Sequence, residues 1–284
     1  KKEFPYFNFI DKKRYLKQLD YFEKNFGIIE NENEIFTKNN KVLLTFDDGL
    51  KDHFFAANEL RKRKKIGIFF PITNHFTEKN LILNVHKTHL ILGKIKADIA
   101  LKELLNFLKT FNNKENKYLI KSKYKDIYNK LHDNKYKNEF KKIINYSNNL
   151  KHKTTALNFL IKKFKINVRS KDFYLSKNEI RQISDMGMII GCHTHSHNLM
   201  SSLSYASQSM EIKKSKQILS QITKKNMKYF CYPYGSEMSF NKSTVKLLKK
   251  NNFHYSFTDV HKSISLKNLI SNPYKIPRYD CNQF

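Results

Sequence analysis

Lys41-Val-Leu-Leu-Thr-Phe-Asp-Asp-Gly49 sets an apolar run against two adjacent carboxylates and a glycine. The run reads as a buried β-strand, and the acids fall at its C-terminal tip. Neighbouring carboxylates repel each other unless a cation stands beside them, so this tip points to a metal. The other half of such a site is Gly191-Cys-His-Thr-His-Ser-His197, which follows a second apolar run, Met188-Ile-Ile-Gly191. Both segments are therefore expected at C-terminal strand ends, where α/β folds gather their chemistry.

Consecutive residues on an extended chain point to opposite sides, so Asp47 and Asp48 cannot serve alike. One holds the ion and the other faces the substrate. His193 and His197 are four apart and share one face of a helical turn, or of a loop curled like one, while His195 points elsewhere. Asp48, His193 and His197 then form a two-histidine, one-carboxylate set with a position open for water, the pattern of a catalytic zinc. The expected cofactor is a divalent metal, zinc first, although the hard carboxylate leaves iron, cobalt and manganese open. Taken singly, Asp-Asp-Gly is a common solvated turn and a histidine-rich pentapeptide a common surface loop. Their joint position at strand ends favours the metal.

At these residues the chain resembles the polysaccharide deacetylases, carbohydrate esterase family 4, with the NodB homology domain. Thr45-Phe-Asp-Asp-Gly49 is identical to that family's first motif, T-F-D-D-G, and His193-Thr-His-Ser-His197 fits its second, H-[ST]-x-x-H. Leu175 to Gly187 is similar to the family's lead-in helix, and Tyr229-Phe-Cys-Tyr-Pro-Tyr-Gly235 to its strand-to-loop motif ending in P-Y-G. The matches lie in roughly residues 40 to 75 and 173 to 280.

The resemblance implies Asp47 as the general base, Asp48, His193 and His197 as metal ligands, and the backbone N–H of Tyr234 as an oxyanion donor. It also implies Tyr232, Pro233 and Tyr234 beside the substrate. The implied fold is α/β, a distorted (β/α)7 barrel with the site at the strands' C-terminal mouth. The implied reaction is metal-dependent removal of an N-acyl group, foremost N-acetyl, from an amino sugar in a surface polysaccharide, a lipopolysaccharide or its precursor. Its partner would be an acetylated glycan or a lipid- or nucleotide-linked precursor. Elementary chemistry agrees, since a divalent ion acidifies water and polarises a carbonyl while a nearby carboxylate takes the proton.

Two departures from the family pattern bear on the mechanism. Many members carry an arginine at the start of the third motif, where it orients the base, and this chain has Cys231 there. Arg278, in Lys275-Ile-Pro-Arg-Tyr-Asp280, is the candidate replacement because its forked charge suits a carboxylate; a purely structural salt bridge is the competing reading. The family's late leucine-x-histidine motif, source of the acid for the leaving amine, is not evident. His254 and His261 lie in the right region but in another context, with His75, His86 and His89 as outside candidates. The alternative function is accordingly a catalytically weak glycan-binding or scaffold module of the same fold.

With 284 residues, 40% hydrophobic content and 23 Phe, the chain can bury a full core. It reads as one domain over residues 1–284 with an insertion at about 81–170. That insertion has no Pro, its only Gly is Gly93, and helical runs are expected at 95–109 and 155–164. A groove wall that chooses the substrate and a basic docking platform are the two roles open to it. Helices are also expected over 11–26 and 52–64, and a second buried strand over Ile66 to Ile72, which with the first strand makes a βαβ unit.

The formal charge of +29, from 54 Lys and Arg against 25 Asp and Glu, suggests a polyanion such as an anionic membrane surface or a phosphate-bearing substrate. Nucleic acid rests on charge alone, without a motif. Lys, Asn, Ile and Phe are all abundant, so part of the charge reflects composition bias. Cys192, Cys231 and Cys281 are too few for a disulfide framework and favour a reducing compartment. No apolar run is long enough to span a membrane and Lys1-Lys-Glu-Phe-Pro-Tyr6 lacks a signal-peptide core. The expected location is cytoplasmic or peripheral to the membrane; Lys1, which is not an initiator Met, leaves a removed leader and export open.

Overall fold

The computed structural model describes residues 10–38, 40–110, 134–146 and 150–284; the opening Lys1–Tyr6 stretch lies outside them. Two compact units are present, Ile82–Arg169 and Ile10–Leu81 with Ser170–Phe284. In chain order the elements are α1 (Lys12–Asn25), β1 (Leu44–Asp48), α2 (His53–Lys62) and β2 (Gly67–Pro71). The Ile82–Arg169 unit follows with α3 (Asn84–Lys94), α4 (Ala97–Lys109), α5 (Lys135–Tyr146) and α6 (Leu150–Lys163). The chain then runs through α7 (Ser170–Phe173), α8 (Lys177–Asp185), β3 (Ile189–Ile190), α9 (Tyr205–Thr223), β4 (Tyr229–Cys231), α10 (Lys242–Lys250), β5 (Tyr255–Phe257) and α11 (Leu266–Ser271).

Local signals place the helix starts. Asp11 caps α1 by accepting from the Arg14 N–H at 2.8 Å, and Ser176 with Glu179 closes a reciprocal capping box at the start of α8. Asn241 and Thr244 do the same for α10. In the Ile82–Arg169 unit the apolar faces of α4, α5 and α6 bury Leu104, Leu108, Phe140, Ile144, Leu157 and Leu160, which is what their helical spacing requires.

The strands are parallel throughout. β1, β2 and β3 pair in that order, and β4 pairs with β5. Parallel bridges between Cys192 and Phe230 and between Phe257 and Ile276 link the two sheets and add a last segment. Each step needs a crossover; α2 lies between β1 and β2, α9 between β3 and β4, and α10 between β4 and β5.

Alternation along the strands sorts the core into two faces. Ile68, Phe70, Tyr229, Cys231, Phe257 and Ile276 form one cluster on the inner face. Phe46, Phe69, Ile190 and Phe230 take the other face and pack with helix residues such as Leu60, Ile180, Ile183 and Leu219. Gly191 falls in the inner register, where a Cβ would stand 2.4 Å from Phe70 Cε1, so the Phe70 ring fills that space. The inner register also carries the site residues: Asp47 pairs directly with Phe70, His193 lies two residues beyond Gly191, and Arg278 two beyond Ile276.

The closed seven-stranded barrel expected from the resemblance does not appear. Among the described residues the strands make an open parallel arc, and no strand pairing joins β1 to the Ile276 segment. The Arg278 side chain instead reaches from that segment to Thr45 and Asp47 on β1. The first strand also includes both carboxylates, with Val42 set apart in a bridge to Ile28. No described helix is long and apolar enough to cross a membrane.

Candidate metal centre

Asp47 and Asp48 end β1, but only Asp47 keeps the extended alternation. Asp48 has φ 74° and Gly49 φ 71°, so the backbone turns left-handed at the tip and swings the second carboxylate out of register. The turn is tight, since a Cβ on Gly49 would stand 2.7 Å from Pro71 Cβ. Asp48 Oδ1 consequently lies 3.5 Å from His193 Nε2 and 3.4 Å from His197 Nε2. The three candidate ligand atoms are all within 4.8 Å of one another.

These separations suit one divalent ion. Ligands at about 2.0–2.2 Å from a tetrahedral centre stand about 3.3–3.6 Å apart, which is the Asp48–histidine spacing. The donor chemistry agrees. His193 Nδ1 is 2.8 Å from the Cys231 carbonyl, which can only accept, so Nδ1 carries a proton and Nε2 is the nitrogen turned to Asp48 and left to bind an ion. Asp47, His193 and Cys231 form a second group of comparable spacing. It suits an ion less well, because Arg278 occupies both Asp47 oxygens. Burial and the neighbouring carboxylates also push the Cys231 thiol well above its ordinary pKa despite Arg278, whereas a ligand must be thiolate.

Arg278 grips Asp47 with two hydrogen bonds, Nη1 to Oδ1 at 2.9 Å and Nη2 to Oδ2 at 2.8 Å. It is itself fixed by Nε to the Thr258 carbonyl at 2.9 Å and Nη1 to Thr45 Oγ1 at 3.1 Å. The Cys231 thiol donates to Asp47 Oδ2 at 3.3 Å, from the position where an arginine was expected by resemblance to many polysaccharide deacetylases. Burial raises the Asp47 pKa, but the Arg278 charge, His193 and the Arg278 hydrogen bonds outweigh it and leave the carboxyl at about 2. Asp47 is therefore ionised across the neutral range.

The His193–His197 segment is a loop, not a helical turn. The two rings meet edge to face with centroids 4.9 Å apart. His195 points away, its Nδ1 2.9 Å from Thr73 Oγ1, and burial with the Lys214 charge lowers its pKa to about 4. Tyr234 has φ 63°, and its ring lies 5.0 Å from that of His197.

Other candidate residues are placed elsewhere. Tyr232, expected beside the substrate, is 1% exposed; its ring stacks on Phe240 at 3.8 Å and its hydroxyl donates to the Tyr274 carbonyl. Pro233 is buried as well, which leaves Tyr234 as the partly open residue of that trio. His75 stacks on Tyr174 with Nε2 3.1 Å from the Leu175 carbonyl. His261 pairs with Asp259 at 3.4 Å and with Gln283 at 2.9 Å, and His254 is exposed. His86 and His89 belong to α3 in the other unit. Sequence reasoning missed Glu211, a buried carboxylate of α9 that binds the backbone of the histidine loop. An acid among the apolar positions of α9 was the only signal.

Residues 35–256 match the family described as polysaccharide deacetylase. Among solved structures the chain is similar to Streptococcus pyogenes deacetylase PplD in complex with acetate, with TM-score 0.53 and 13% identity over 96% of this chain and 87% of that one. IcaB from Ammonifex degensii gives 0.50 and 15% over 88% and 76%. BC0361, a polysaccharide deacetylase from Bacillus cereus, gives 0.53 and 16% over 94% and 56%. At such identities the likeness speaks for the fold alone. A search of the curated proteins gives no match.

Proposed function

Since the chain belongs to the polysaccharide deacetylase family, we propose that it hydrolyses an N-acyl group, foremost N-acetyl, on an amino sugar of a surface polysaccharide, a lipopolysaccharide or its precursor. The observation that carries this reading is the placement of Asp48, His193 and His197 around one point, beside an ionised Asp47 clamped by Arg278. Asp48, His193 and His197 would hold a divalent ion, zinc first. Bound there, it would bring water toward a pKa near 7 and polarise the amide carbonyl.

The protein's own groups supply the rest. Asp47 accepts a proton from the water that attacks the acyl carbon. With a pKa of about 2 it is a weak base, so its contribution is position rather than basicity. Arg278 supplies that position and takes the place of the family's third-motif arginine. The Tyr234 N–H faces the oxyanion as it develops. When the C–N bond breaks, Asp47 returns its proton to the departing amine, and acetate and the free amino sugar result. We assign both proton transfers to Asp47 because His75 and His261 already have other partners.

Zinc-loaded protein incubated with acetylated oligosaccharides, lipid-linked sugars and nucleotide sugars tests the proposal by release of acetate. One class should release acetate, and chelation should stop it. Release from none of them by protein that holds its metal would favour the alternative, a glycan-binding module.

A further inference from the structure

The loop bearing His193 and His197 is held in an uphill conformation. Thr194 and His197 have φ of 64° and 55°, a left-handed backbone that is unfavourable for residues other than glycine. The other left-handed residues outside the site, Lys64, Asn80, Lys165, Lys224 and Asn252, are the Lys and Asn of ordinary turns. Something must hold the histidine loop against relaxation. Thr194 Oγ1 accepts from the His197 N–H at 3.0 Å, and the His195 carbonyl accepts from the N–H groups of Thr73 and Asn74 at 3.3 and 2.9 Å.

A further anchor from outside the loop is a carboxylate. Glu211, 1% exposed, lies within α9. Its Oε2 accepts from the backbone N–H of His195 at 2.9 Å and of Ser196 at 2.7 Å, and its Oε1 from Asn198 Nδ2 at 3.4 Å. These donors all sit between or directly after the two candidate ligands. Burying a carboxylate is costly unless donors compensate it, and an apolar residue would serve the core better. The acid's presence is explained by what it holds.

We infer that Glu211 is a positioning residue for the metal centre, fixing the two N–H groups between the ligands so that both imidazoles keep their place against Asp48. The inference rests on the metal-centre reading above. Outer partners that orient ligands are typically worth about 10–100-fold in metal affinity, and the loss of Glu211 should fall in that range. What the loop requires is an acceptor oxygen. Glutamine retains one, whereas methionine fills similar volume and retains none.

Zinc affinity by chelator competition, on wild type, Glu211→Gln and Glu211→Met, tests this, with melting of the metal-free proteins and amide exchange at His195 and Ser196 measured in parallel. The Met variant should bind zinc about 10–100-fold more weakly and exchange both amides faster, while the Gln variant stays within a few-fold of wild type. A folded Met variant with wild-type affinity would overturn the inference, as would a Gln variant as weak as Met. Should the Met variant fail to fold, the metal-free wild type still decides: unprotected amides at His195 and Ser196 would overturn it. Wild type that binds no zinc would remove the metal-centre reading itself, an outcome distinct from wild type that binds zinc while Met binds equally well.

Discussion

Asp47 and Asp48 are neighbours with different surroundings, and the backbone between them makes the difference. The left-handed turn at Asp48 sends one carboxylate to the imidazoles and leaves the other in the inner register with Arg278. Asp48→Ala, His193→Ala and His197→Ala should each lose bound metal on elemental analysis, whereas Asp47→Asn should keep it. Stoichiometric metal in the two histidine variants would remove the ligand assignment. The Asp47–Arg278 pair also carries a pH signature in the metal-free protein. A carboxyl at about 2, below its ordinary 3.8, contributes stability that is complete above about pH 4 and lost as pH falls toward 2. Arg278→Met removes the chief lowering influence and leaves burial, which raises the pKa, so this part of the acid loss should shrink or reverse in urea unfolding followed from about pH 2 to 6. An unchanged acid limb would show that Arg278 does not govern this carboxyl. The neighbourhood of Asp48, His193 and His197 is legible in the sequence because both motifs end apolar runs. The sense of the turn at Asp48 is not, because a Gly follows Asp in turns of many kinds.

At the scale of elements, the inner face of the strands sets the floor under the site. Gly191→Ala would drive a Cβ to 2.4 Å from Phe70 Cε1, and overpacking of this kind costs about 1–3 kcal/mol. Denaturant unfolding should show that loss, and Phe70→Leu in the same protein should recover part of it; strict additivity of the two changes would contradict the packing account. The same alternation explains Tyr232. It follows Cys231 on the strand and so turns to the helix-covered face against Phe240, which a motif read letter by letter does not reveal. β3, only Ile189–Ile190, is shorter than its apolar run suggests. The helices α1, α2 and α4 lie within a residue or two of their expected ranges, as amphipathic segments should.

At the scale of the molecule, every candidate ligand and every residue that holds one lies in the unit of Ile10–Leu81 and Ser170–Phe284. The ends that flank Ile82–Arg169 are close, since the Ser170 N–H donates to Asn80 Oδ1 at 3.0 Å. Replacing Ile82–Arg169 by a short glycine-serine linker should therefore leave zinc content and affinity within about two-fold of the full chain, given the few-tenths kcal/mol expected between independent sites. A folded, shortened protein that no longer binds zinc would contradict this. The open arc that the strands make among the described residues was not legible in the sequence, because closure depends on how the last segment meets β1, and Arg278 makes that contact with a side chain rather than a ladder. On the proposed function, an ionised Asp47 beside a metal held by Asp48, His193 and His197 deacylates an amino sugar. Release of free amine from an acetylated glycan, compared between wild type and Asp47→Asn at equal metal content, tests it most directly. Wild type should release amine and the variant should be slower by about 10²–10⁴-fold; equal rates, or no amine from metal-replete wild type, would contradict the account.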